Sequence, residues 1–150
     1  VSNDLEQLYQ QIILDHARER HGAGLQEHHG DGMVGESHQL NPVCGDEITL
    51  RAVVSNGGVR SVSWEGAGCA ISMASASVLT DLMVGLPRDE VIRLVDNFRD
   101  VMRSRGKLDA DEEVLGDAAA FSGVSRYPAR VKCAMLAWVA LEESLLAANH

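Results

Sequence analysis

The tightest constraint on this chain is a change of period on either side of Asn56-Gly57-Gly58. Before that turn, Ile48, Leu50, Ala52 and Val54 alternate with Thr49, Arg51 and Val53; after it, Val62 and Trp64 alternate with Ser61, Ser63 and Glu65. A period of two places successive side chains on opposite faces of a strand. Asn-Gly between two such runs is a strong hairpin signal. Residues 47–65 are therefore expected to form an antiparallel hairpin with one buried face.

Helical periods surround it. Leu5, Leu8, Tyr9, Ile12 and Ile13 recur at helical spacing, with Ser2 and Asn3 as capping candidates, so a helix is expected from about Asp4 to His21. A second helix should follow Gly66-Ala67-Gly68 and end at Gly85, rich in Ala70, Ser72, Ala74, Ser75, Ala76 and Ser77. Pro87 suits the start of a third, with Asp89 and Glu90 in its first turn and Val91, Ile92, Leu94, Val95, Phe98, Val101 and Met102 facing the core. A short helical piece is expected over 111–120, and Pro128 opens a last helix that runs almost to the chain end. The Gly- and His-rich stretch from Gly22 to Asn41 has no sustained period and reads as a mobile loop. The expected fold is α+β, one domain over residues 1–150, with a small antiparallel sheet packed against several helices.

Charge and composition narrow the function. At 150 residues and 45% hydrophobic, the chain can build its own core without a metal. A formal charge of -9 repels polyphosphate, and Arg99, Arg103, Arg105 and Lys107 are interleaved with Asp100 and Asp109, so no nucleic-acid partner is expected. There is no apolar run of the roughly 20 residues a bilayer crossing needs. The amino-terminal stretch is a polar helix pattern without a signal-peptide core, so a cytoplasmic location away from membranes is expected. Three cysteines far apart are not a secreted disulfide framework.

Those cysteines carry the chemistry. Cys44 and Asp46 flank Gly45 just ahead of the hairpin, Cys69 follows Gly66-Ala67-Gly68 at its other end, and Cys133 lies in the second turn of the last helix. The two ends of a hairpin are adjacent, so Cys44 and Cys69 can meet, while Cys133 must arrive by tertiary packing. Helix amino-termini at Ala70 and Pro128 would favour thiolate. Three thiolates and a carboxylate supply the four donors of a tetrahedral zinc site, with the oxygen as its weakest member. Taken singly, each cysteine also reads as a small buried hydrophobe. His28, His29 and His38, with Glu27 and Asp31, read either as a second metal site or as solvated loop residues.

Pro42-Val43-Cys44-Gly45-Asp46, Gly66-Ala67-Gly68-Cys69-Ala70-Ile71-Ser72 and Tyr127-Pro128-Ala129-Arg130-Val131-Lys132-Cys133 resemble the signatures of the IscU-like family, and Leu8-Tyr9 with Ile12-Ile13-Leu14-Asp15-His16 resembles its first helix. The likeness is nearer the SufU branch of zinc-dependent sulfurtransferases. The scaffold branch carries a histidine where Lys132 stands, and the long interval from Cys69 to Cys133 is similar to the longer SufU form. The resemblance implies a zinc ion held by Cys44, Asp46, Cys69 and Cys133. It implies that Cys44 accepts persulfide sulfur from a pyridoxal-phosphate-dependent cysteine desulfurase of the SufS type, for downstream Suf cluster-assembly proteins. Arg130, three residues before Cys133, is a candidate partner contact. The other readings are a scaffold for a [2Fe–2S] cluster and a structural zinc domain.

Overall fold

The computed structural model describes residues 3–28 and 30–148; Ser2 and His29 lie outside the described residues, as does the side chain of Asn3. Helix α1 (Asn3–Glu19) is followed by strands β1 (Met33–Asn41), β2 (Asp46–Ser55) and β3 (Gly58–Ala67). Then come helices α2 (Ala70–Met83), α3 (Arg88–Arg103) and α4 (Glu112–Leu115), a 3₁₀ segment (Gly116–Arg126) and helix α5 (Pro128–Ala148). The strands form an antiparallel sheet in the order β1–β2–β3. Helix α5 lies across β1 and β2, α2 packs against α5 and β3, and α1 packs against α2. The α+β architecture expected from the sequence is the one observed.

The expected hairpin is β2 and β3, with one correction. The register shifts between Val53 and Val54; Val54 still packs half-buried against the core, and Val53, expected on the opposite face, is buried as well, at 3% exposure, beside Gly32. The larger correction is β1, where the sequence suggested a mobile loop. Its inward positions are Gly35, Ser37 and Asn41, so no apolar alternation marks it. Those positions are small because α5 passes almost in backbone contact. A Cβ on Gly35 would lie 1.7 Å from the carbonyl oxygen of Ser144 and 2.8 Å from the backbone nitrogen of Ala148. The outer edge of β3 is covered in part by residues 22–24, where Gly24 N–H donates to the Trp64 carbonyl and Trp64 N–H to the Gly22 carbonyl.

Helix α1 is only partly inserted. Ile12 and Ile13 are half-buried, whereas Leu5 and Leu8 of its expected apolar face are exposed. In α3, Ile92 is half-buried and the other apolar residues expected in the core are buried there. The short piece expected over 111–120 is a four-residue helix that tightens into the 3₁₀ segment. Leu115, Ala118, Phe121 and Val124 are buried at every third position, the repeat of a three-residue turn. Phe98 stacks on Trp138 at 4.0 Å between ring centroids and meets Phe121 edge-on at 6.1 Å, joining α3, α5 and the 3₁₀ segment.

Buried serines fasten α2 to α5. Ser75 Oγ donates to the Ala134 carbonyl at 2.6 Å and accepts from Trp138 Nε1 at 2.8 Å, while Ser72 Oγ lies 3.3 Å from the Cys133 carbonyl. Removing the first hydroxyl leaves a buried indole N–H without its acceptor. Ser75→Ala is therefore expected to cost about 2 kcal/mol, read as a lower urea midpoint at unchanged m.

Candidate metal centre

The loop between β1 and β2, residues 42–45, is closed by the ladder pair Asn41 and Asp46 and by a hydrogen bond from Gly45 N–H to the Asn41 carbonyl at 2.8 Å. Cys44 stands exposed on this loop; Asp46, the first residue of β2, is 1% exposed. Cys69 caps the amino terminus of α2 and is exposed; Cys133, in the second turn of α5, is buried at 2% exposure. Elements distant in sequence thus converge, as the expectation required.

The Cys133 and Cys44 sulfurs are 3.5 Å apart, and ligand atoms of Cys44, Asp46 and Cys133 all lie within 4.8 Å of one another. The Cys69 sulfur, 4.0 Å from Asp46 Oδ2 and 3.7 Å from Ser72 Oγ, stands at the rim of that group. For Zn–S bonds near 2.3 Å, tetrahedral coordination sets neighbouring sulfurs about 3.8 Å apart, and sulfur and oxygen about 3.6 Å apart. The donor types and spacings of Cys44, Asp46 and Cys133 fit such an ion, and Cys69 stands outside that group of three.

Asp46 is the side chain of the four that the protein itself holds most firmly. Its Oδ1 accepts from the Cys69 backbone N–H at 3.0 Å and its Oδ2 from Ser72 Oγ at 2.8 Å. Burial pushes its carboxyl pKa up, but hydrogen bonds from Cys133, the Cys69 N–H, Ser72 and Asn41 outweigh burial and hold it below the usual carboxylate range. Gly68 permits the approach, since a Cβ there would lie 2.5 Å from Asp46 Oδ1. The least anchored donor is the sulfur of Cys44.

Cys133 departs from expectation. Its thiol pKa is raised, first by burial, then by hydrogen bonding to Asp46 and to the other two cysteines. Cys133 sits beyond the first turn of α5, where the helix dipole has faded. Without a nearby cation this thiol keeps its proton, and a divalent ion among the donors reverses that preference.

Arg130 is exposed and lines, with Tyr127 and Ile71, a groove of about 780 Å³. Lys132 is exposed on α5. Among the described residues, His28 and His38 do not assemble: His28 Nε2 bonds the Asp31 carbonyl, and His38 Nε2 pairs with Glu47 across β1 and β2 at 2.8 Å. Sequence reasoning missed Ser72 and Asn41 as site residues. The signal for Ser72 was its position three after Cys69, on the same helix face.

No helix among the described residues is long and apolar enough to cross a membrane. Residues 8–134 match the NifU-like N terminal domain family. The zinc-dependent sulfurtransferase SufU of Bacillus subtilis is 39% identical over 142 residues, covering 95% of this chain and 92% of that protein. The iron–sulfur cluster assembly scaffold protein IscU of Thermotoga maritima is 38% identical over 138 residues, covering 92% of each chain. A structure from Fervidobacterium islandicum, described as an iron–sulfur cluster assembly scaffold protein for the SUF system, superposes with a TM-score of 0.74 at 35% identity over 93% of this chain and 98% of that one. The match along most of the chain and the shared fold lead to one conclusion: this chain belongs to the NifU-like N terminal domain family, the family of the IscU and SufU proteins.

Proposed function

We propose that this chain binds one zinc ion through Cys44, Asp46, Cys69 and Cys133 and accepts persulfide sulfur on Cys44 during iron–sulfur cluster assembly. The observation that carries the reading is a cluster of one exposed and one buried thiol with a buried carboxylate, their ligand atoms all within 4.8 Å of one another. Zinc, when bound there, holds sulfur as thiolate and does not change redox state.

The chain's own residues divide the work by burial. Asp46 and Cys133 are fixed from below by Ser72, the Cys69 N–H and the wall of α5, while Cys44 faces outward on its loop. A thiolate at Cys44 attacks the outer sulfur of a desulfurase persulfide, the donor's S–S bond breaks, the desulfurase cysteine leaves as thiolate, and Cys44 becomes the persulfide. No electrons are gained or lost overall. A SufS-type cysteine desulfurase is the matching donor, Suf cluster-assembly proteins the recipients, and a reducing cytoplasm the compartment that keeps the thiols available. Arg130, exposed at the groove, is offered to the desulfurase.

The scaffold reading, in which the same residues hold a [2Fe–2S] cluster, is favoured by relatives that are named iron–sulfur cluster assembly scaffold proteins. Lys132, in place of an imidazole beside Cys133, favours the sulfur acceptor, because a protonated lysine has no lone pair for a metal. Metal and sulfide analysis after anaerobic purification separates the two. Zinc at about one per chain with no inorganic sulfide is expected; stoichiometric iron and sulfide would replace this proposal with the scaffold.

Ser72 and Gly68 give a finer test. Ser72→Ala removes the hydroxyl that orients Asp46 Oδ2, and Gly68→Ala pushes on Oδ1. Competition with a chromophoric chelator should show zinc affinity about tenfold weaker in the first and weaker still in the second, with the helical circular dichroism intact.

A further inference from the structure

Away from the cysteines, the end of α1 meets the far end of α2, about 18 Å along that helix from Cys69 at 1.5 Å per residue. There one ring nitrogen each of His16 and His21 and one oxygen of Asp81 lie within 4.8 Å of one another. The two imidazoles stand nearly perpendicular, 5.1 Å between centroids. We propose that His16, His21 and Asp81 form a second divalent-cation site, of imidazole and carboxylate chemistry, that fastens the end of α1 to α2.

The arrangement of hydrogen bonds around the rings supports this. His16 is buried, with Nε2 on Asp117 Oδ2 at 3.1 Å and Nδ1 on Ser77 Oγ at 2.7 Å. His21 has Nε2 on Glu19 Oε1 at 2.9 Å and Nδ1 on Asp81 Oδ2 at 2.6 Å. Each ring therefore has a carboxylate behind its Nε2, the arrangement that orients metal-bound histidines and strengthens them as donors. Ser77 Oγ also accepts the His21 backbone N–H at 2.9 Å, so its own proton points to His16 Nδ1, a neutral contact that a cation displaces. Three carboxylates around two imidazoles leave negative charge for that cation to neutralise. Entry is open, with the side chains of His21 and Asp81 37% and 52% exposed. Nitrogen and oxygen donors at these positions suit zinc, cobalt or nickel rather than magnesium.

The test uses Co²⁺ on the metal-stripped full chain, with equilibrium dialysis and absorption followed together. Two equivalents are expected to bind. One brings the intense near-ultraviolet band of sulfur-to-cobalt charge transfer; the other adds bound metal without adding to that band. His21→Ala and Asp81→Asn should each weaken only the second equivalent, by at least about tenfold. His38→Ala, which removes an exposed imidazole paired with Glu47, should leave both unchanged. Binding of a single equivalent without thiolate absorption, lost in His21→Ala, supports this site while refuting the cysteine site. A single thiolate-bound equivalent, a second that survives both substitutions, or one equally lost in His38→Ala overturns the proposal. If His21→Ala does not fold, Asp81→Asn decides.

Discussion

Cys44→Ala is expected to reduce sulfur acceptance from a cysteine desulfurase by at least about 100-fold while the fold survives, because the attacking group is removed and the other exposed thiol, Cys69, sits at the start of α2 and not on the loop. Cys44 is exposed, and its sulfur contact is with Cys133, so the substitution should change stability by no more than about 0.5 kcal/mol. The anchored donors Asp46 and Cys133 remain, with Cys69 at the rim, so zinc should still bind, more weakly. Mass spectrometry after incubation with desulfurase and cysteine checks the outcome: the wild-type chain should gain a sulfur atom at Cys44, and the variant none. Cys133→Ala should behave differently, since it removes a buried donor and is expected to lower metal content as well as acceptance. Sulfur uptake by Cys44→Ala at the wild-type rate would remove Cys44 from the role given to it.

The second large effect is structural. Gly35→Ala places a methyl group 1.7 Å from the Ser144 carbonyl oxygen and 2.8 Å from the Ala148 nitrogen, and both obstacles are backbone. No rotamer relieves this, so α5 must move off β1. The hydrogen bond from Ser144 Oγ to the Leu50 carbonyl, 3.1 Å, is stretched in the same movement. A cost of about 3 kcal/mol is expected, a large share of the roughly 5–15 kcal/mol that holds a domain together. At 2–4 °C per kcal/mol, the melting temperature should fall by about 6–12 °C. Because α5 also carries Cys133, metal affinity should fall with it, although Gly35 touches no donor. A melting temperature within about 2 °C of wild type would show that the helix has more freedom over β1 than its contacts indicate.

What could be read from the sequence followed from how strongly each element advertises its period. The β2–β3 pair was visible because Ile48, Leu50 and Ala52 fill one face and Trp64 lies opposite them. The strand β1 was hidden because its buried face is made of Gly35, Ser37 and Asn41, chosen for closeness rather than for apolar area. The 3₁₀ segment was half visible: Leu115, Ala118, Phe121 and Val124 repeat every third residue, a period that helix reasoning at 3.6 passes over. Helix α1 looked like a core element, yet Leu8 is exposed, since periodicity reports an apolar face and not what covers it.

The cysteines could be placed at element boundaries from the sequence, but their separation depended on α5 crossing β1, which the sequence did not show. The anchoring of Asp46 was also out of reach. It comes from a backbone N–H and a serine hydroxyl on α2, and from the missing side chain at Gly68. The thiol of Cys133 went against expectation for a related reason: its burial, set by packing, outweighs the helix terminus that the sequence made visible.

The short connection that bears Cys44 is tied at both feet by the Asn41–Asp46 rung. Chain on such a leash, doubling back on itself at no more than about 3.5 Å per residue, cannot carry its tip farther than about 7 Å from that rung. If Cys44 carries sulfur as proposed, that sulfur does not travel on a swinging arm. Donor and recipient would each come to the same small patch of surface and take turns at it.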